Sequence, residues 1–416
     1  MLRGKLWGHP DFLKLWAGES VSVFGSQVTV LAVPTVAILI LHAGPFQVGI
    51  LSALEFLAFP TLGLVAGVYA DRLRRRPIMI VCDIGRGLAL GSIPVAFLLN
   101  LLTLEQLYFV ALLTGIFTVF FDVSYQSYLP ALVDRPNLIE GNTKLEITRS
   151  TAQVAGPAVA GFLIQWIGGA RAVAVDALSF LLSAIALASI KKPEPEPKPS
   201  TASGTSGFIP EMREGIEVVF RNAILWRIAA CTATTNLGSN MVFGAVFLVF
   251  AYRQLHLSAG VVGVVFALSS VGALAGAFLA GWVVRKLGIG PTLGVMVIVG
   301  GLALLATPIA LVGAPAVILA TTGFIEGLTI PIYNINQVSL RQAITPDRVQ
   351  GRMNATMRTI VWGTIPLGAF IGGILGTSLG LVQTIVLGGI LSTLAASWIF
   401  LGPVIRLREQ PTPVMA

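Results

Sequence analysis

Five long stretches of the chain carry no Asp, Glu, Lys or Arg: Ser20 to Leu54, Ile228 to Tyr252, Gln254 to Val284, Leu287 to Ile325 and Thr359 to Ile405. A helix that crosses a bilayer needs about 20 mostly apolar residues. The run from Leu287 has 39 residues and the run from Thr359 has 47, too many for one crossing each. The first is broken at Gly313-Ala314-Pro315 and the second around Ser378-Leu379-Gly380, combinations that interrupt helices. Each therefore reads as a helical hairpin with a tight uncharged turn. Dividing the remaining apolar stretches in the same way predicts twelve spans, beginning near residues 11, 46, 77, 104, 145, 170, 225, 257, 290, 314, 356 and 381.

Composition supports this pattern. Of 416 residues 55% are hydrophobic and 11% charged, against about 25% charged in soluble globular proteins. The net charge of +8 raises the question of a nucleic-acid partner, and the distribution of the basic residues answers it. With the N-terminus placed inside, 24 of the 27 basic residues fall in segments on one side of the membrane, and only Arg171 and Arg253 fall on the other. Arg86 lies within span 3. That asymmetry is the positive-inside pattern of an even number of spans with both ends cytoplasmic. It leaves no basic patch on a soluble face, so no nucleic-acid partner is expected. No cleavable leader is expected at the N-terminus, whose apolar stretch is far longer than a signal-peptide core. Cys82 and Cys231 fall in spans of different halves, and His9, His42 and His256 do not cluster, so neither a disulfide framework nor a metal site is expected.

The middle of the chain is different. Lys191 to Gly207 alternates proline with charge and then turns to Ser and Gly, the composition of an extended solvated linker. Beyond it Phe208, Ile209, Met212, Ile216, Val219 and Phe220 recur at helical spacing among Glu211, Arg213, Glu214, Glu217 and Arg221. This segment is either an amphipathic helix on the membrane surface or a plain connector. The expected organisation is an N-terminal six-helix bundle (1–190), a linker (191–222) and a C-terminal six-helix bundle (223–416). The halves also repeat. Arg149 and Pro157 match Arg358 and Pro366, and Gln126-x-x-Leu129 matches Gln337-x-x-Leu340. Gly67 to Arg72 at the end of span 2 matches Gly281 to Lys286 at the end of span 8. Secondary transporters are built from such repeats, with the substrate site at the repeat interface. The chain contains no phosphate-cradling G-x-x-x-x-G-K-[ST], so neither an ATP site nor any other cofactor is expected.

At this point the sequence resembles a family. Gly67-Val-Tyr-Ala-Asp71-Arg72-Leu-Arg74-Arg75-Arg76 is similar to the signature loop of the major facilitator superfamily, with Arg74 where that signature usually has a second glycine. Phe121 to Pro130 and Thr345 to Arg352 resemble the macrolide-efflux and enterobactin-exporter branch. Gly156-Pro157-Ala-Val-Ala-Gly161 is similar to the motif of drug:proton antiporters. The resemblance implies an all-α integral membrane fold of twelve spans in two pseudo-symmetric bundles, and a transporter rather than an enzyme. In that family the partner of Asp71 is the start of span 11. Gly67, Asp71, Arg72, Arg75 and Arg76 would then form a cytoplasmic gate, while the arginines also serve as topology signals. Pro157 bends span 5, and the small residues around it allow close packing, which the resemblance places against span 8.

Charge inside a bilayer is costly, about 2.5–3.5 kcal/mol per residue at mid-helix, and is a functional candidate by default. Glu19, Glu55 and Glu326 lie roughly 12–18 Å into spans 1, 2 and 10 at 1.5 Å per residue, and Asp122 lies within span 4. A low dielectric disfavours a charged carboxylate, so these four can exchange protons or attract a cationic substrate. Asp83 and Arg86 are three apart on span 3 and can pair, and Asp176 in span 6 is expected to be structural or exposed at the rim. By the family resemblance spans 1, 4, 7 and 10 line the central cavity, where Gln27, Tyr125, Asn236, Asn240, Phe243, Tyr333 and Asn334 complete an amphipathic lining. The expected function is export of amphipathic small molecules by proton-coupled alternating access. The expected partners are a small amphipathic substrate, protons and the bilayer, with the protein a monomer in the bacterial inner membrane. A dedicated exporter of one metabolite, such as a siderophore or lipid, and a proton-coupled nutrient importer remain the alternatives.

Overall fold

The computed structural model describes residues 5–134, 137–194 and 208–409, apart from the side chains of 5, 64, 68, 70–72, 139, 208–212 and 347. Among the described residues there is no β-strand. In chain order the helices are α1 (Pro10–Leu39), α2 (Pro45–Arg72), α3 (Arg75–Leu98), α4 (Leu104–Leu132), α5 (Leu138–Ile167), α6 (Gly169–Ala188) and α7 (Phe208–Arg221). Then come α8 (Leu225–Met241), the three-residue α9 (Phe247–Val249), α10 (Ala259–Leu287), α11 (Ile289–Ala306), α12 (Pro315–Ile344), α13 (Asp347–Ser378), α14 (Leu381–Leu394) and the short α15 (Ser397–Phe400). In lipid, a helix satisfies every backbone group within its own segment, which is why apolar runs of this length become helices. Eleven stretches of the described chain are long and apolar enough to cross a membrane. The remaining long helix, α5, has 30 residues, but Gln153, Gln165, Pro157 and many small residues dilute its apolar half.

The helix ends follow from local chemistry. His9 caps α1, its Nδ1 accepting from Phe12 N at 3.0 Å, and Thr103 caps α4 through Gln106 N at 3.3 Å. The expected break before span 10 is Ala314 in the left-handed region (φ 46°) followed by Pro315 at the first helical position. The break before the last span is Gly380 at φ 102°, a backbone conformation that suits glycine. Two helices begin earlier than the apolar pattern suggests. Helix α5 starts at Leu138 and α13 at Asp347, because helical hydrogen bonding continues through charged turns that hydropathy alone assigns to loops. Span 7 runs through α8 and α9 with π-helical turns at Val242–Val246 and Phe250–Gln254.

The chain divides into two compact units: residues 1–43, 54–200 and 258–267, and residues 44–53, 201–257 and 268–416. In the first, Phe12, Leu15, Met79, Cys82, Phe121, Tyr128, Leu129 and Leu187 form a buried core. Glycines set its closest approaches. A Cβ on Gly115 of α4 would lie 2.3 Å from the Glu55 carbonyl of α2. In the same unit a Cβ on Gly161 of α5 would lie 2.6 Å from the Ala259 carbonyl and 2.8 Å from Gly263 Cα. In the second unit Ile228, Cys231, Leu293, Ile332, Leu340 and Ile399 are buried together. There Gly276 of α10 packs on Leu328 of α12, and Gly327 of α12 packs on Ser269 of α10. The outer faces are apolar: Trp166 and Phe278 are each 86% exposed. Such a surface requires a non-aqueous surround.

Candidate functional site

In the first unit, chemistry concentrates where α1, α3, α4 and α6 meet. Arg86 of α3 pairs with Asp83 one turn earlier. Its guanidinium is held between two aromatic rings, 4.3 Å from the Phe121 centroid on α4 and 4.1 Å from the Phe180 centroid on α6. A guanidinium is weakly hydrated and its flat faces stack on rings, so this is a favourable way to bury one. Glu19 of α1 is buried, and the charges that act on it come from Arg86, Asp122, Asp83 and Arg149. Three polar atoms of this cluster lack a hydrogen-bond partner: Glu19 Oε2, Asp83 Oδ2 and Arg86 Nε. Asp176 of α6, also buried, accepts from the Thr29 hydroxyl of α1 and from Ser179 Oγ at 2.9 Å. Three fully buried carboxylates therefore surround one buried guanidinium. Low dielectric opposes simultaneous ionisation of that many like charges. The cluster thus holds more buried carboxyl groups than buried counter-ions.

The other candidate residues of this unit are spread around that cluster. Asp122 is half-buried on α4. Tyr125 is buried, stacked on Phe121 at 5.9 Å and 13°. The Gln27 side chain lies directly over Gly156, where a Cβ would come within 2.5 Å of it. Gly156 thus makes room for a polar side chain of α1, and Pro157 sits one residue on. Glu55 is half-buried on α2 and does not join the Glu19 cluster. Gly67 is helical with open space beside it, and Asp71 and Arg72 end α2, their side chains lying outside the described residues. Arg76 donates to the last carbonyls of α6, from Nε to Leu187 O at 2.8 Å and from Nη2 to Ala188 O at 2.5 Å. The Glu194 carboxylate accepts from Arg75 N at 2.8 Å and Arg76 N at 3.0 Å, capping the N-terminus of α3. Nothing in the hydrophobic pattern marked Glu194, since it falls within the proline-rich linker.

In the second unit the polar side chains lie along α12. Glu326 is buried, and Thr329 Oγ1 donates to its backbone carbonyl at 2.8 Å. Tyr333 is buried with its hydroxyl 2.8 Å from Thr232 Oγ1 on α8. Asn334, the next residue, points away and is exposed. Asn240 Nδ2 donates back along α8 to Asn236 O at 2.8 Å, and Asn236 Nδ2 donates across to Val361 O of α13 at 3.4 Å. The Phe243 ring packs on Phe247 at 5.1 Å within the π-helical stretch of span 7. Arg341, one of the basic residues that the charge pattern puts on the inner side, is a buried residue in the last turn of α12. Its helical spacing from Gln337, Tyr333 and Glu326 was the available signal, once the helix is carried to Ile344.

Three comparisons place this geometry. The profile of the Major Facilitator Superfamily matches the chain over residues 15–335 and again over 229–414. The multidrug efflux pump Tap of Mycolicibacterium fortuitum is 26% identical over 90% of this chain and 91% of its own. Macrolide efflux protein A of Streptococcus pyogenes is 24% identical over 91% and 93%. Among solved structures, a bacterial homologue of the iron transporter ferroportin superposes with a TM-score of 0.75 at 15% identity, covering 96% of this chain and 99% of that one. The nucleoside transporter NupG superposes with a TM-score of 0.75 at 12% identity, over 94% and 98%. With its all-helical architecture, its apolar spans and a family match that runs the length of the chain, this protein is a multi-pass membrane transporter of the major facilitator superfamily.

Proposed function

We propose that the protein exports amphipathic small molecules across the bacterial inner membrane by alternating access of its two six-helix halves, 1–190 and 223–416, driven by inward proton flow. Both termini and the 191–222 linker face the cytoplasm, the side to which 24 of 27 basic residues map. Export is supported by relatives named as multidrug and macrolide efflux proteins, each aligned over about nine-tenths of both chains. The observation that carries proton coupling is the buried cluster of Glu19, Asp83 and Asp176 around Arg86, the one buried guanidinium among the described residues of the first unit. It has more buried acids than counter-ions, and its orphaned Glu19 Oε2 is available to a proton. Glu326 is the corresponding buried acid of the second half, while Asp122 and Glu55 are less enclosed.

The test uses reconstituted protein and cells. In proteoliposomes, Glu19→Gln and Glu326→Gln each lower substrate-dependent proton movement. In cells expressing the chain, accumulation of several dyes and antibiotics falls, and an uncoupler restores it. Accumulation that an uncoupler leaves unchanged overturns the efflux reading, and unchanged proton flux in both Gln variants overturns the coupling assignment.

A further inference from the structure

The geometry points to a binding site for an anionic group, a carboxylate, phosphate or sulfonate on an amphipathic molecule, built by Arg341 and Gln337 on α12. The two residues are one helical turn apart and so lie on one stripe of the helix. Both are at least nine-tenths buried, Gln337 being 5% and Arg341 9% exposed. Both carry polar atoms without a partner, Gln337 Oε1 and Arg341 Nε. Among the described residues no carboxylate pairs with Arg341. Glu214 of α7, in the same unit, is engaged by Arg348 (2.9 Å) and Arg352 of α13. Glu217 is engaged by Arg213 at 3.4 Å.

A guanidinium in this state is unusual. Buried charges are ordinarily paired, and a buried polar atom ordinarily has its hydrogen bond. The α12 C-terminus offers Arg341 a favourable dipole, but the Arg341 carbonyl itself is taken by Thr345 Oγ1 at 2.7 Å. The charged or titratable group that acts on Arg341 is the Tyr333 phenol two turns up the stripe, and Thr232 already occupies that hydroxyl. What completes the site is an anion that accepts from the planar guanidinium donors, with a hydroxyl or N–H of the same molecule donating to the Gln337 carbonyl. The inference refines the substrate class of the exporter and rests on that reading only for the direction in which the anion is carried.

The test is equilibrium binding to the full-length protein in nanodiscs, which needs neither a gradient nor a direction of transport. Fluorescein and rhodamine 6G share a xanthene ring and carry opposite charge. Wild type binds fluorescein saturably, Arg341→Gln weakens it by about tenfold or more, Arg341→Lys weakens it less, and rhodamine 6G binding does not change. Retained protection of buried Cys231 from a thiol dye reports that each variant is folded. Phosphatidylcholine nanodiscs with and without phosphatidylglycerol identify the source of the anion. Competition by the added lipid assigns the site to a lipid headgroup, and its absence assigns it to a soluble anion. The proposal is overturned if fluorescein binds wild type and Arg341→Gln equally, if wild type shows no saturable fluorescein binding, or if Arg341→Gln weakens both dyes in parallel.

Discussion

Arg86→Met removes a guanidinium from the centre of the first unit and leaves Asp83, which is 0% exposed, without its counter-ion. Breaking a buried ion pair from one side costs about 3–5 kcal/mol, because the surviving charge stays desolvated. Two cation–π contacts at 4.3 and 4.1 Å are lost as well, each worth about 0.5–2 kcal/mol. Methionine recovers part of the packing between Phe121 and Phe180 through favourable sulfur–ring contacts. The expected net loss is therefore about 3–5 kcal/mol. The double variant Asp83→Leu/Arg86→Met removes both charges and is expected to recover most of this loss, since apolar replacement of a whole buried pair is often neutral or stabilising. The protein carries its own reporters. Cys82, adjacent to Asp83, is buried in the first unit and Cys231 in the second, and both are free thiols. In a Cys231→Ser background, thermal labelling by a thiol-reactive dye follows Cys82 alone. The Arg86→Met midpoint falls well below wild type, and the double variant returns most of the way. An unchanged midpoint in Arg86→Met, or a double variant as unstable as the single, would refute the view that Arg86 is the indispensable counter-ion of this cluster.

Two further expectations are simpler. Gly276→Ala places a Cβ 2.1 Å from the Leu328 carbonyl, so α10 and α12 must separate at a cost of about 1–3 kcal/mol. Dye labelling of Cys231 then begins at lower temperature, whereas Gly363→Ala, with open space around it, leaves labelling unchanged. Glu194→Ala uncaps α3, a loss of about 0.5–2 kcal/mol by analogy with other caps, and hydrogen exchange at the Arg75 and Arg76 amides accelerates. Exchange that stays at the wild-type rate would show that the carboxylate is not what protects those two groups.

The twelve-span pattern was legible because a bilayer imposes one rule on every apolar run, and the breaks at Ala314-Pro315 and Gly380 obey ordinary turn chemistry. Where reading failed, charge was the cause. Hydropathy cut α5 and α13 short, since both begin in charged turns that continue the helix. Glu194 was invisible because a cap depends on where a distant helix begins, and nothing in the linker's composition carries that information. For α7 the apolar spacing was visible, but its surroundings were not. Val219 packs with Met353 and Met357, while Ile216 and Phe220 remain exposed. A periodicity shows that a face exists without naming what covers it.

The chain by itself determined the solvent, the secondary structure and the family. These follow from quantities summed over many residues: apolar run length, basic-residue asymmetry and repeated motifs. Only the tertiary structure decided which rare charges meet. Glu19, Asp83, Arg86 and Asp176 are separated by as many as 157 positions, yet packing brings them around a single guanidinium gripped by two rings. Arg341 and Gln337 stand one turn apart in sequence, yet only the packed helix reveals that they are buried without partners. The physical reason is range. Burial and pairing energies depend on contacts within a few ångströms, and a one-dimensional pattern contains the residues that make those contacts but not their neighbours in space.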